Sequence, residues 1–250
     1  MKKVAEITLI FWIMKICATT LGETAGDMLS MTFNIGYGLS SVILLSFFVI
    51  TLIAQLFSKK YHPVLYWSII LTTSTAGTTI SDYMDRTLGF GYAKGSMLLI
   101  FMLISILVLW YKIEKSLSVE NISSFRPETF YWFTILISNT LGTALGDYLA
   151  DDSGLGFGGG ALLIGSSILG VVLLHFYTKI SKVILFWIAF VLTRPFGATF
   201  GDLLTKPTEK GGFNLGTIGS SSVLFTILIL LVIYSIFIEK RNTHQVDEND

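Results

Sequence analysis

One cysteine, three histidines and four prolines are all that 250 residues contain of those types. The lone Cys17 lies inside an apolar run, so neither a disulfide framework nor a thiolate metal site is available. His62, His175 and His244 are scattered, which makes a poor zinc or copper site. Charge is also scarce. Asp, Glu, Lys and Arg make up 14% of the chain, where a soluble domain carries about a quarter. The net charge is zero and no basic stripe runs along any segment, which speaks against nucleic acid as a partner. Apolar residues, by contrast, reach 52%. They fall in runs of about twenty, enough to cross a bilayer core of roughly 30 Å. The chain reads as an integral membrane protein. Its first residues, MKKVAEITLIFWIMK, resemble a signal peptide in charge and apolarity. No A-x-A-like site closes them, so a retained helix is expected.

One pattern, W-x9-G-x3-(G or S)-D, occurs four times. The copies are Trp12–Gly22–Gly26–Asp27, Trp67–Gly77–Ser81–Asp82, Trp132–Gly142–Gly146–Asp147 and Trp187–Gly197–Gly201–Asp202. Four of the five tryptophans belong to it. Self-similarity at this level marks internal duplication. Apolar runs predict spans at 5–29, 39–57, 63–84, 93–111, 128–149, 158–178, 182–204 and 217–238, two per repeat. The expected fold is therefore an all-α membrane bundle of eight transmembrane helices, built from four parallel two-helix repeats. Gly and Ser at i, i+4 let helix backbones approach closely in lipid, so the odd helices, which carry the pattern, are expected at the centre. Repeats one and two occupy 1–115, a cytoplasmic linker 116–127, repeats three and four 128–241, and a polar, disordered tail 242–250.

Loop charge sets an orientation. Lys2, Lys3, Lys59, Lys60, Lys112, Lys115, Arg126, Lys179, Lys182, Lys240 and Arg241 fall on the side of the termini; Arg86, Lys94, Lys206 and Lys210 fall on the other. The bias places both termini in the cytoplasm. Each Asp is followed by a short loop: FNIGYG (33–38), LGFG (88–91), LGFG (155–158) and FNLG (213–216). Glycine there permits positive φ, for a tight re-entry or for a backbone-lined polar cavity.

Residues three to four and seven to eight before each Asp share its helix face. That stripe holds Thr20, Glu23, Thr24 and Asp27, then Thr75, Thr78, Thr79 and Asp82, then Thr140, Thr143 and Asp147, then Thr199 and Asp202. Oxygen-only ligation suits hard cations, and Glu23 with the four Asp form the candidate metal set. Two readings stay open, since an Asp near a helix end can also cap its own loop. Three residues break the repeat. Lys15 stands where the other repeats have Ile70, Ile135 and Phe190; Glu23 aligns with Thr78, Thr143 and Ala198; Arg194 aligns with Thr19, Ser74 and Asn139. Buried intramembrane charges are functional candidates by default, so Lys15 and Arg194 are expected as internal counter-charges. A fixed salt-bridge network is the alternative. Pro195 is expected to kink its span.

These features suggest a transporter exporting a hard cation, with no resident cofactor and no enzymatic activity. Neither a Ser/His pair nor an H-E-x-x-H motif is present, and G-x3-G-D differs from the G-x-G-D of intramembrane aspartyl proteases. The alternatives are a carrier of a small anionic or zwitterionic solute bound by Lys15 and Arg194, and a non-transporting sensor or accessory protein. The partners expected are the bilayer and the transported ion, and a homo-oligomer is compatible with the sequence. TLGETAGD (20–27), TLGTALGD (140–147) and FGATFGD (196–202) resemble an uncharacterised family of bacterial inner-membrane proteins with four Gly-Asp helices. There is also a weak similarity to exchangers with E-x-G-D repeats, which implies export of a divalent cation such as Mn²⁺ or Ca²⁺. Glu23-Thr-Ala-Gly26-Asp27 has one residue more than that motif.

Overall fold

A computed structural model describes residues 3–120 and 122–247, with side chains as far as residue 238. Eight long helices account for it: α1 (Leu9–Asp27), α2 (Tyr37–Phe57), α3 (Pro63–Asp82), α4 (Tyr92–Glu114), α5 (Phe125–Asp147), α6 (Gly156–Tyr177), α7 (Lys182–Thr205) and α8 (Thr217–Asp247). Helix α1 starts four residues later than expected because the Thr8 side chain caps it, accepting from the Phe11 amide at 3.3 Å. The stretch expected as a disordered tail from 242 is helical to Asp247. Residues 248–250 and Lys2 of the charge count lie outside the described residues, as do the side chains of Lys240 and Arg241.

Five helices, α2, α4, α6, α7 and α8, are long and apolar enough to cross a bilayer. The expectation of eight such segments is met in helix number but not in apolarity. In α1, α3 and α5 the Thr, Ser, Asn and Gly of the polar stripe dilute the apolar residues, and those polar side chains are buried inside the bundle instead. The even helices show the opposite balance. Only 28%, 22%, 28% and 11% of the apolar windows of α2, α4, α6 and α8 are buried, against 61% in α7, so their apolar surface faces outward.

The odd helices close a ring. Helix α1 packs on α3, α3 on α5, α5 on α7, and α7 back on α1. Small residues make this approach feasible. A Cβ on Gly22 would lie 2.5 Å from Ser74 Cβ, and one on Gly142 would lie 2.5 Å from Arg194 Cβ. Equivalent contacts join Gly77 to Asn139 and Gly197 to Thr19. One position thus meets the same neighbouring position in all four interfaces, so the odd helices run parallel around a pseudo-fourfold axis. Each even helix packs on the next repeat's odd helix: α2 on α3, α4 on α5, α6 on α7, and α8 on α1. The packing unit is offset by one helix from the duplicated unit, which interlocks the repeats.

Beyond the Asp, the first three odd helices continue for one turn of π-helix, at Met28–Thr32, Tyr83–Thr87 and Tyr148–Asp152. The loops then share one backbone solution, two positive-φ residues flanking a third. They are Asn34 and Gly36, Gly89 and Gly91, Gly154 and Gly156, and Asn214 and Gly216. In repeat three the counterpart of 88–91 is therefore 153–156, not the identical letters LGFG at 155–158. The sign of φ fixes the register, and Phe157-Gly-Gly-Gly160 falls inside α6. Helix α7 runs through Pro195 as one element.

Candidate functional site

The interior of the ring is layered along its axis. At the tryptophan end, the residue before each Trp is aromatic: Phe11, Tyr66, Tyr131 and Phe186. All four are buried, and the Tyr66 and Tyr131 hydroxyls share a hydrogen bond of 2.6 Å. Phe11 also packs, tilted, at 5.7 Å from Trp67, and Tyr66 at 5.4 Å from Trp132. This aromatic layer closes the axis at that end. Behind it, the described part of the N-terminal segment is tied down. Lys3 Nζ pairs with Glu128 Oε2, and Gln55 Nε2 donates to Glu128 Oε1 at 2.9 Å. Lys3, counted as a loop charge, is thus buried.

Lys15 comes next. It is fully buried, with Nζ 3.4 Å from Asn139 Oδ1 and 4.0 Å from the centroid of the Phe190 ring. Asn139 in turn donates to Thr73 Oγ1 at 3.0 Å. Among the described residues no carboxylate lies within ion-pair distance of Lys15. The ammonium relies on one amide oxygen and a ring face.

The centre of the ring joins all four odd helices through one ion pair. Arg194 Nη1 on α7 donates to Glu23 Oε2 on α1 at 3.0 Å. Its Nη2 donates to Thr78 Oγ1 on α3 and Thr143 Oγ1 on α5, both at 2.6 Å. The two threonines return their protons to Glu23 Oε2 at 3.3 Å. Glu23, Thr78 and Thr143 are the same repeat position, so duplication brings them face to face. The remaining threonines of the stripe do not converge. Thr20, Thr79 and Thr199 back-bond to their own helices, at Ile16, Ala76 and Pro195. Thr24 accepts from Ser221 Oγ on α8 at 2.8 Å. A Ser or Thr hydroxyl can satisfy itself on the carbonyl one turn back, which breaks the expected continuous strip into one Thr pair.

The four Asp form the last layer, and among the described residues their side chains bond to cations of the ring rather than to loop amides. Arg86 bridges Asp82 (Nε to Oδ1, 2.8 Å) and Asp147 (Nη2 to Oδ2, 3.1 Å). Lys206 bridges Asp202 (3.0 Å to Oδ1) and Asp27 (2.6 Å to Oδ2). Burial disfavours both cations, but the paired carboxylates outweigh it and hold each pKa above its ordinary value. Asp82 Oδ1 and Asp202 Oδ1 are buried, each against one cation, at 2.8 Å from Arg86 and 3.0 Å from Lys206. One oxygen each of Glu23, Asp147 and Asp202 lies within 4.8 Å of the other two. Three helices thus present three buried carboxylates to one point.

The family can now be stated. A family model described as Repeat of Unknown Function (DUF347) matches four times, at 10–61, 65–116, 130–181 and 185–241. The chain belongs to that repeat family. No curated protein and no solved structure gives a match. Each match to the DUF347 repeat starts just before a Trp and takes in the Gly-Asp helix and the even helix after it.

Two members of the charged layer escape a reading of the DUF347 repeat as sequence. Arg86 and Lys206 were counted among the outer loop charges; in the fold they belong to the Asp layer. The signal was their spacing, four residues after Asp in repeats two and four, where repeats one and three have Met31 and Asp151. The aromatic before each Trp was the other legible signal.

Proposed function

We propose that this protein spans a bacterial inner membrane eight times, with both termini in the cytoplasm, and exports a hard divalent cation along the axis of its odd helices. The observation that carries the reading is the convergence of Glu23, Asp147 and Asp202 within 4.8 Å. Like charges that close repel strongly in a water-poor interior, so the cluster needs positive charge beside it, which Arg194, Arg86 and Lys206 supply in part and a bound cation would complete. The wider network has the same bias: Glu23 and four Asp are paired with Arg86, Arg194 and Lys206, which leaves two carboxylates in excess. Oxygen donors without His or Cys favour Mn²⁺, Mg²⁺ or Ca²⁺ over zinc or copper. The weak E-x-G-D similarity points the same way. The outward apolar faces of the even helices support a bilayer setting, and there the α1, α3 and α5 polar faces are enclosed by protein.

A second reading rests on Lys15. Among the described residues its amine faces no carboxylate at ion-pair distance, and it is buried in the same ring as Arg194, as the binding end of a small anion carrier would be. The two are separated by one experiment. The gene is deleted, growth is screened against metal salts, and cell metal content is measured with wild type, Glu23→Gln, Asp147→Asn and Lys15→Met. Cation export requires that deletion raise sensitivity to, and content of, one divalent metal, and that both carboxylate variants fail to complement. No change for any cation refutes it.

A further inference from the structure

Arg86 and Lys206 each hold two carboxylates, and in each case only one of the two belongs to the converging trio. Arg86 sits on Asp147, a trio member, and on Asp82, which is not. Lys206 sits on Asp202, a trio member, and on Asp27, which is not. Each cation can therefore let go of the trio and remain ion-paired. Neither comes from the helical core of the ring. Arg86 is in the π turn after α3, its side chain 31% exposed, and Lys206 immediately follows α7, 19% exposed. Their bridges span the α3/α5 and α7/α1 interfaces. The α1/α3 and α5/α7 interfaces have Met31 and Asp151 at the equivalent position and no such bridge. Arg194, by contrast, is fully buried and anchored by two threonines and Glu23. It is fixed where the other two can move.

We propose that Arg86 and Lys206 are tethered competitors that occupy the carboxylate layer when it is empty and withdraw onto Asp82 and Asp27 when a divalent cation enters. This rests on the cation-site reading above and assigns these two residues the setting of affinity. A resident positive charge a few ångströms from a ligand oxygen weakens cation binding, and it also keeps the empty carboxylates from repelling one another. Withdrawal of Arg86 onto Asp82 breaks its tie to Asp147 across α3/α5, whereas Lys206, released from Asp202, keeps its tie to Asp27 across α7/α1, so binding would loosen the Asp end of the ring at the α3/α5 interface alone.

Full-length protein in detergent micelles is titrated with MnCl₂, and free Mn²⁺ is read by its electron paramagnetic resonance signal. Wild type, Arg86→Met, Lys206→Met, Lys206→Arg and Glu23→Gln are compared. The two methionine variants act at different interfaces, so a folding failure in one leaves the other informative. Each is expected to bind Mn²⁺ at least ~10-fold more tightly than wild type, while Lys206→Arg, which keeps the charge, stays near wild type. Methionine variants that bind no more tightly than wild type, with binding still lost in Glu23→Gln, overturn the competitor role and leave the site standing. Absence of Mn²⁺ binding in every protein, the methionine variants included, removes the site and this proposal with it.

Discussion

Moving one methyl group across the ring tests whether the odd helices touch as described. A Cβ on Gly146 would lie 2.8 Å from Ala198 Cβ and 3.4 Å from the Pro195 carbonyl oxygen. Carbon atoms rest at about 3.5–4.0 Å, so Gly146→Ala forces α5 and α7 apart by the order of 1 Å. Neither Cβ can rotate away, because both are fixed to their helices. Overpacking of this kind costs about 1–3 kcal/mol. At roughly 2–4 °C per kcal/mol for a chain of this size, the midpoint should fall by about 2–12 °C. Ala198→Gly alone loses helix propensity worth about 1 kcal/mol. In the double variant Gly146→Ala/Ala198→Gly the methyl is carried by the other helix, the clash with Ala198 disappears, and the two propensity changes offset. Its midpoint should return to within a few degrees of wild type, a coupling of about 1–3 kcal/mol. Gly170→Ala is the control: no atom lies within 4 Å of that Cβ, so the midpoint stays or rises slightly. Thermal melting in detergent micelles reads the four variants against wild type. A Gly146→Ala protein that melts with Gly170→Ala, or a double variant below both singles, would refute the packing.

Two further predictions follow from buried charge. Glu23→Gln leaves the Arg194 guanidinium enclosed with only hydroxyl and carbonyl partners, a loss of about 3–5 kcal/mol; Glu23→Gln/Arg194→Met removes both charges and should recover most of it, measured by the same melting assay. Asp85, in the turn after α3, is pushed up from its ordinary 3.8 to about 6 by burial, which outweighs the Ser81 hydroxyl and Arg86. Its raised pKa means that the folded state holds the extra proton between those values, so its contribution to stability is present at low pH and is lost as pH rises through 6. The melting temperature of wild type minus that of Asp85→Asn should therefore fall between pH 4 and pH 7, and a flat difference would contradict the burial.

How much of this was legible in the sequence depended on the range of the contact. The four repeats and the small residues at i, i+4 are short-range signals. They carry directly into Gly22 against Ser74 and Gly142 against Arg194. The partner of each even helix was not legible. Nothing in α2 says that it packs on α3 rather than on α1, because apolar residues surround it and two neighbours would satisfy them equally. Loop letters misled in repeat three, where LGFG repeats by identity but Gly154 and Gly156 carry the turn by conformation. Arg86 and Lys206 looked like solvated loop cations because a loop charge is exposed by default. Only the fold shows that the Asp of the adjacent repeat reaches them. Of the threonine stripe, Thr78 and Thr143 converge and Thr20, Thr79 and Thr199 do not. Helix face alone cannot distinguish a hydroxyl that points across a ring from one bonded to its own preceding turn.

Symmetry falls in steps along the axis, and the steps explain why the repeats are fused. The scaffold is fourfold: one Trp, one Gly against its neighbour, and one Asp per odd helix. The bridging cations are twofold, Arg86 and Lys206. Lys15, Glu23 and Arg194 have no symmetry at all. Four identical subunits around an axis could build the first tier. They could not build the last, because symmetry would place four Glu at the level of Glu23 or four Arg at the level of Arg194, each surrounded by like charges. With the four units on one chain, a single acid can face a single base while the same position in the next two repeats supplies hydroxyls, Thr78 and Thr143, that bond to both. The fourth equivalent is Ala198, the small side chain that lets Gly146 pack closely. Duplication provides the ring; divergence at a few inward positions lets one acid, Glu23, pair with one base, Arg194, at its centre.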